Sequence, residues 1–513
     1  MMAARRIKGP WRLSALLAGL AEVPPGGDCP VSGLTLDSRT VAPGDLFLAC
    51  AGAAHHGLDF AGQALDRKAA AILCEPGGDW RQERIDELAA EIPVPLVSVP
   101  DLSGSISALA ARFYGDPSQA LAVIGVTGTN GKTSCAQFLA EALGGSVPCG
   151  VIGTLGSGFP GALTAGRHTT PEPVELQALL ADLRERGAAA VALEVSSHAL
   201  EQGRAAAVRF DTAVLTNLSR DHLDFHGGMD AYAAAKRRLF LHPGLRCAVL
   251  NLDDPFGREI LAALPDKMKV VGYGLSRPGR PAPARVNAWL WAPEITSTQE
   301  GLSVRVETSW GEGGFSSPLL GRFNASNLLA VLGVLLERGI PLPDALERLS
   351  RLHTPPGRME RFGGGGQPLV VVDYAHTPDA LEQAITALRP HTRGRLLCLF
   401  GCGGDRDRGK RPLMGAIAER LCDRVVLTDD NPRSEDGGRI IGDILAGMQR
   451  PASARVVRNR AEAIRQIIAG ARPGDLVLVS GKGHETVQQC GDLCLHFSDR
   501  EQVQKILSGE GGR

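Results

Sequence analysis

A chain of 513 residues is longer than one hydrophobic core usually supports, so about three domains are expected. Hydrophobic residues make up 44% and charged residues 22% of it, an ordinary balance for a globular protein. With 55 basic against 56 acidic side chains the net charge is −1, which excludes a global field for nucleic acid or membrane surfaces and leaves recognition to local sites.

Taken in chain order, Arg5, Arg6 and Lys8 precede an apolar stretch at 13–20 that has the outline of a secretory signal. The stretch is short and fits one face of a helix, and a nucleotide motif downstream argues against export, so it reads as the first helix of a cytoplasmic protein. Strands are expected at 31–36, 45–50 and 69–74, with a helix at 59–68. Pro93, Pro95 and Pro100 then punctuate the chain before a helix at 103–114, which places a boundary near Asp101. A second section opens with a strand at 121–126, a glycine-rich turn and a helix at 133–143. Strands recur at 188–195 and 212–216 with a helix at 174–186 between them, the alternation of a parallel sheet covered on both faces. Residues 281–314 read as antiparallel strands at an edge, followed by helices at 327–338 and 343–351, and Pro355-Pro356-Gly357 closes the section.

The last section alternates strands at 369–373, 396–400, 424–428 and 475–480 with helices at 378–388, 410–421, 439–448 and 460–469. It reads as a doubly wound domain of about six strands that binds ligands beyond the carboxyl ends of its strands. Gly363–Gly366 looks like a hairpin turn. The fold class is therefore α/β in three domains: a small N-terminal α/β domain (1–101), a central P-loop doubly wound domain with an antiparallel edge (102–353), and a C-terminal Rossmann-like domain (354–513). The eleven cysteines show no paired metal-ligand spacing, so free thiols are expected rather than zinc, and no apolar run approaches the roughly 20 residues that span a bilayer.

Gly125-Val126-Thr127-Gly128-Thr129-Asn130-Gly131-Lys132-Thr133 follows a strand and opens a helix. Glycines let such a backbone turn its N–H groups toward phosphate, and the helix N-terminus adds positive potential. Lys132 would reach the β/γ-phosphates and Thr133 would hold Mg²⁺. The spacing, with Val126 where the common pattern has glycine, marks a variant loop that by itself does not separate kinase, ATPase, GTPase or ligase. Glu194 ends the next strand, before Ser196-Ser197-His198, where an acid can hold a metal directly or through water. The run from Asn217 to His226 follows another strand end and gathers Asn, Asp and His. Lys236, on a helix beyond it, reads from the residues alone as a solvated helix lysine.

Together these segments resemble the Mur ligases. The motifs TGTNGKT, EVSSH, TNLSRDHLD, GRFNASN, PPGRMER, VVDYAHTPDAL and FGCGGDRDRGKR occur in that family's order, and TDDNPRSED with SGKGHE is similar to the branch that takes meso-diaminopimelate. The resemblance implies an ATP- and Mg²⁺-dependent ligase that adds meso-diaminopimelate to the D-Glu carboxylate of UDP-N-acetylmuramoyl-L-Ala-D-Glu in peptidoglycan precursor synthesis. It also implies roles by position. Thr127, Gly128, Thr129, Asn130, Gly131, Lys132 and Thr133 would bind the triphosphate, with Glu194, Thr133 and His222 at the metal. Lys236 would be carbamylated (N6-carboxylysine), its cation turned into a carboxylate that binds metal or positions the γ-phosphate.

Asn324, Asn327, Asp373, Tyr374 and His376 would surround ATP, with Arg358 catalytic alongside Lys132, Glu194, His222 and Lys236. Leu36, Ser38, Ala53, Ala54 and His55 correspond to the uridine-diphosphate end, though Ala53-Ala54 replaces the His-Gln of some relatives. His168, Thr169, Thr170, Ser196, Gln202 and Arg204 would meet the muramoyl dipeptide, His168 standing where some relatives carry Asn. Arg406, Asp430, Asn431, Pro432, Arg433, Gly481 and Glu485 would form the diaminopimelate pocket. There the Arg433 guanidinium would grip the distal carboxylate that lysine lacks. No nucleic-acid or membrane partner is expected, and the chain reads as a monomer. The rival readings are a folylpolyglutamate-synthase-like ligase and an inactive nucleotide-dependent regulatory protein.

Overall fold

In the computed structural model, residues 10–52, 55–276 and 285–509 are described. They form two compact units, Met1–Val271 and Gly272–Arg513. In the first unit, four short parallel strands make the N-terminal sheet in the order β1 (Gly33–Thr35), β2 (Asp45–Ala49), β3 (Ala71–Cys74) and β4 (Leu96–Ser98). Alternate residues of β2 and β3 point to opposite sides. Leu46, Leu48, Ala71 and Leu73 pack with Leu13, Leu16 and Leu17, while Phe47, Ala49, Ile72 and Cys74 pack with Leu58, Trp80 and Ile85. The expected first helix is a single turn, Leu13–Leu16, held by that apolar face. The helix Gln82–Glu91 and strand β4 were not expected from the sequence, and β4 lies between Pro95 and Pro100.

The central sheet has β5 (Ala122–Thr127) in its middle. On one side lie β9 (Ala190–Glu194) and then β6 (Cys149–Gly153), and on the other lie β10 (Phe210–Leu215) and β11 (Cys247–Asn251), all parallel. The chain leaves β5 toward β6 and later returns to the opposite side at β10, so the end of β5 is a topological switch point, where open α/β sheets bind ligands. A short antiparallel extension, β7 (Gly156–Phe159) and β8 (Ala162–Thr164), runs on from β6, and β12 is Lys269–Gly274.

The second unit contains the expected antiparallel segment as a three-strand meander, β13 (Ala288–Thr298), β14 (Gly301–Thr308) and β15 (Gly311–Ser317). Residues 281–284 of that expectation lie outside the described residues. The following helix is Arg322–Glu337, beginning five residues before position 327, because Gly321 at φ 86 starts it and the polar Arg-Phe-Asn run is already helical. The C-terminal sheet runs β16 (Glu360–Gly363), β17 (Leu369–Asp373), β21 (Leu476–Ser480), β18 (Leu396–Phe400), β19 (Arg424–Leu427), β20 (Arg455–Val456), parallel except for the β16–β17 hairpin. Leu369 and Val371 face the helices Pro378–Leu388, Lys410–Leu421 and Gly437–Leu445, while Val370 and Val372 face Arg460–Ala469 and Asp499–Leu507. Burial on both faces explains why these strands are continuous apolar runs. A second hairpin, β22 (Val487–Cys490) with β23 (Leu493–His496), follows β21.

Candidate functional site

The carboxyl end of β5 carries the glycine-rich loop into the helix Lys132–Gly144. Gly128 and Gly131 sit at φ 149 and 85, and a Cβ on Gly128 would fall 1.8 Å from Thr216 Oγ1. The loop is stitched to the end of the neighbouring β10: Asn130 N donates to Asn217 Oδ1 (2.9 Å), and Asn130 O accepts from Thr216 Oγ1 (2.6 Å) and Asn217 Nδ2 (3.1 Å). Thr129 Oγ1 also lies 3.1 Å from the Tyr232 hydroxyl. Lys132 Nζ donates to Gly128 O (2.8 Å) and Thr129 O (2.9 Å), while Thr127 Oγ1 is buried without a hydrogen-bond partner among the described residues.

Glu194, the last residue of β9, is fully buried. Its carboxylate accepts from Thr133 Oγ1 (2.9 Å), Thr154 N (2.9 Å) and Thr154 Oγ1 (3.1 Å). Burial raises its pKa, opposed by these donors and by the Lys132 charge. Lys236, on the helix Met229–Phe240, is 1% exposed rather than solvated. Its Nζ donates to Gly128 O (2.9 Å), the carbonyl that Lys132 also uses, and lies 4.4 Å from the Tyr232 ring centroid. Desolvation, reinforced by Lys132, drives its pKa well below the ordinary lysine value and favours a neutral, nucleophilic amine. His222 has a left-handed backbone (φ 52), a half-exposed side chain 3.3 Å from Asp221, and a ring 4.8 Å from that of His198.

The expected dipeptide residues form one network with Glu194. Thr154 Oγ1 meets Thr169 Oγ1 at 3.0 Å, and Thr170 Oγ1 donates to Glu194 O (2.8 Å) and lies 3.3 Å from Ser196 Oγ. Arg204 donates to Thr170 O (3.0 Å) and Gln202 Oε1 (2.8 Å) and pairs with Glu172 (3.1 Å), which lies 3.8 Å from His168. Among the uridine-end candidates, Ser38 is buried and donates to Gln63 Oε1 (2.6 Å), Leu36 packs at the margin of the N-terminal core, and the His55 ring lies 6.0 Å from that of Phe60. Ala53 and Ala54 lie outside the described residues.

In the second unit Asp373 ends β17, accepts from Met359 N (2.7 Å) and Ala375 N (2.8 Å), and has its pKa raised by burial against the Arg358 charge. The Arg358 guanidinium lies 4.8 Å from the Tyr374 ring centroid, and the His376 ring lies 4.6 Å from that ring. Asn324 and Asn327 share one helix face, with Asn327 Nδ2 donating to Asn324 Oδ1 (3.1 Å).

The segment Asp430–Arg433 follows β19. Arg433 has φ 52, and its backbone is tied to the hairpin by Arg433 N donating to Gln489 O (3.1 Å) and Gly491 N donating to Arg433 O (2.7 Å). Its guanidinium donates to Gly404 O (2.7 Å), and a Cβ on Gly403 would meet both Arg433 and the Arg406 stem. A Cβ on Gly481 (φ 118) would lie 2.7 Å from Asp430 Oδ2, so this glycine permits the two strand ends to approach. Burial raises the pKa of Asp430, and Asn431 Nδ2 donates to Glu485 Oε2 (3.0 Å).

The sequence reading passed over Thr154, which lies just beyond the unrecognised strand β6, and Gln63. It also passed over Lys482, although Lys482 sits inside a quoted motif. Among the described residues no group of three or more His, Cys, Asp or Glu side chains could hold a metal ion, and no helix is long and apolar enough to cross a membrane.

Three family domains match consecutive segments: "Mur ligase family, catalytic domain" at 30–114, "Mur ligase middle domain" at 126–335, and "Mur ligase, glutamate ligase domain" at 357–483. A UDP-N-acetylmuramoyl-L-alanyl-D-glutamate–2,6-diaminopimelate ligase of Alkalilimnicola ehrlichii is 53% identical over 98% of this chain and 99% of its own length. That of Pseudomonas aeruginosa is 53% identical over 93% of this chain and 94% of its own. A solved structure of a ligase of the same name superposes with TM-score 0.68 at 34% identity, covering 94% of this chain and 96% of its own. With a nucleotide loop of this construction and relatives of this closeness along nearly its whole length, the chain belongs to the Mur ligase family of ATP-dependent ligases.

Proposed function

We propose that the protein joins meso-diaminopimelate to the D-Glu carboxylate of UDP-N-acetylmuramoyl-L-Ala-D-Glu, using ATP, in the cytoplasm and as a monomer. The domain limits 1–101, 102–353 and 354–513 belong to the same proposal. The observation that carries it is the convergence, at one sheet switch point, of the glycine-rich loop, the buried Glu194 and the buried Lys236, in a chain with diaminopimelate-adding relatives.

A carboxylate does not condense with an amine at neutral pH because hydroxide is a poor leaving group. Transfer of the γ-phosphoryl group to the carboxylate oxygen releases ADP and leaves an acyl phosphate. An uncharged amine attacks its carbonyl carbon, and phosphate departs from the tetrahedral adduct with its electron pair as the amide forms. The first step is mainly positioning and charge neutralisation. Lys132 supplies a cation beside the loop N–H groups, and Arg358 supplies a second. Thr169, Thr170, Ser196, Gln202 and Arg204 hold the acceptor next to Glu194, and Leu36, Ser38 and His55 orient its uridine end. Asn324, Asn327, Asp373, Tyr374 and His376 take the adenosine and γ-phosphate side.

The residues fit Mg²⁺: Thr133 and Glu194 offer hard oxygen donors 2.9 Å apart, and a bound cation would favour the charged Glu194 carboxylate that burial disfavours. Carbamylated Lys236 would add an anionic oxygen, with His222 lining the same centre. When bound, Mg²⁺ would neutralise phosphate charge. Arg433, flanked by Arg406, Asp430, Asn431, Pro432, Gly481 and Glu485, selects the amino acid through its distal carboxylate.

Arg433→Ala tests this reading. Loss of two charge-assisted hydrogen bonds, each worth about 1.5–3 kcal/mol, should lower kcat/KM for meso-diaminopimelate by roughly 10²–10⁴-fold with ATP affinity unchanged. Unchanged amino-acid kinetics would remove Arg433 from the pocket.

A further inference from the structure

Lys482 is wholly buried just past the end of β21, beside the proposed amino-acid pocket. It stands between Gly481 (φ 118) and Gly483 (φ 53), two left-handed positions that turn the chain sharply after β21. A lysine ammonium has three N–H donors. Each has a partner here: Asn431 Oδ1 at 3.0 Å, Glu485 Oε2 at 2.9 Å and Val487 O at 2.7 Å. With every donor used, Lys482 has none to offer a ligand and acts only through its partners.

Those partners are thereby fixed. Asn431 Oδ1 accepts from both Lys482 Nζ and Gln489 N (3.0 Å), which sets the amide orientation and directs Nδ2 to Glu485 Oε2 (3.0 Å). Glu485 Oε2 therefore accepts twice, whereas Oε1 accepts no hydrogen bond among the described residues on a side chain that is 33% exposed. The other buried cation nearby, Arg460, is committed to Asp499 through two bonds of 2.7 Å. Lys482 is thus the cation that holds one Glu485 oxygen inward and presents the other outward.

We infer that Lys482 is a positioning residue for the amino-acid subsite: its buried ammonium clamps Asn431 and Glu485 so that Glu485 Oε1 and the free Asn431 N–H meet the polar end of the incoming amino acid, an ammonium group against the carboxylate oxygen. The inference rests on the reading of this segment as the amino-acid pocket. Removing one partner of a buried ion pair is destabilising, so Lys482 also supports the local fold, and its part in binding is read from which substrate's KM moves.

The test is Lys482→Met in the full-length enzyme, with KM measured for the amino acid that the wild type uses, for ATP and for the UDP-linked acceptor. The expected result is a rise of about tenfold or more in the amino-acid KM, a factor corresponding to the loss of one oriented ionic contact, with the other two changed less than about twofold. Because Lys482 acts through Glu485, combining it with Glu485→Gln should cost little more than the worse single change. An unchanged amino-acid KM, an equal loss for all three substrates, or multiplicative effects in the double variant would overturn the inference. If Lys482→Met does not fold, Lys482→Gln, which retains two donors, carries the same expectations. A wild type that uses a different amino acid overturns the proposed substrate while Lys482 is judged on that amino acid; a wild type that uses none overturns both.

Discussion

Lys236 gives the sharpest separation of catalysis from stability. Its amine makes one hydrogen bond, to Gly128 O, and stacks over Tyr232 in a site that is 1% exposed. Replacing it with methionine keeps the apolar stem, loses one hydrogen bond worth about 1 kcal/mol, and removes a desolvated polar group costing about 1–3 kcal/mol. Lys236→Met should therefore fold within about 1 kcal/mol of wild type, on the stabilising side if anything. Lys236→Ala also empties the space of the stem and should lose roughly 2–4 kcal/mol. Both should lose amine-dependent phosphate release by at least about 10²-fold, the usual scale for removing a group that stabilises developing charge. Bicarbonate should raise the activity of wild type freed of carbon dioxide, because the neutral amine adds to CO₂ and sheds a proton, and should do nothing for either variant. The measurements are thermal unfolding and coupled phosphate release. Full activity in a folded Lys236→Met would refute the reasoning and leave Lys236 a packing residue.

Gly128→Ala places a methyl against Thr216 Oγ1, whose bond to Asn130 O shapes the phosphate loop, at a φ of 149. Strain of about 1–3 kcal/mol should weaken nucleotide affinity about tenfold or more by titration calorimetry, and unchanged affinity would contradict the loop geometry. His391 is buried with one ring nitrogen on Thr298 O and the other accepting from Gly321 N (2.9 Å), an arrangement that needs a neutral ring. Burial lowers its pKa, with Arg361 adding to the shift and the Thr298 bond opposing it. The unfolded chain then binds more protons below pH about 6.5, so this part of the stability is intact above that pH and is lost as the pH falls toward the folded-state pKa. Denaturant unfolding of wild type against His391→Leu between pH 8 and 5 should show a shallower acid loss in the variant, and parallel curves would contradict it.

Much of the fold was legible because buried parallel strands advertise themselves. Leu369–Asp373 and Leu396–Phe400 are runs apolar on both faces, and the expected bounds coincide with the observed strands. The strands Cys149–Gly153 and Cys247–Asn251 were not recognised, since five residues give no period to separate strand from helix and two glycines dilute the first. The hairpin Val487–His496 is partly exposed and polar, so no core pattern marks it, yet it holds the backbone of Arg433. The phosphate loop was legible as a motif because its glycines are needed by its backbone. The burial of Lys236 was not, since one lysine on a helix carries no sign of the Gly128 carbonyl and the Tyr232 ring that enclose it. Lys482 was hidden in the same way: Glu485 and Val487 are its neighbours in the chain, but Asn431, the acceptor that ties it to the other strand end, is brought to it only by the fold.

In the proposed reaction ATP makes a carboxylate electrophilic, and an oxygen label tests that directly. The free carboxylates of D-Glu in the UDP-linked acceptor would be enriched in ¹⁸O, the acceptor turned over with ATP, Mg²⁺ and meso-diaminopimelate, and the released phosphate analysed by mass spectrometry. Passage through an acyl phosphate transfers one carboxylate oxygen to phosphate for each amide formed, so the phosphate should carry one ¹⁸O per turnover. Amide formation with unlabelled phosphate would contradict it.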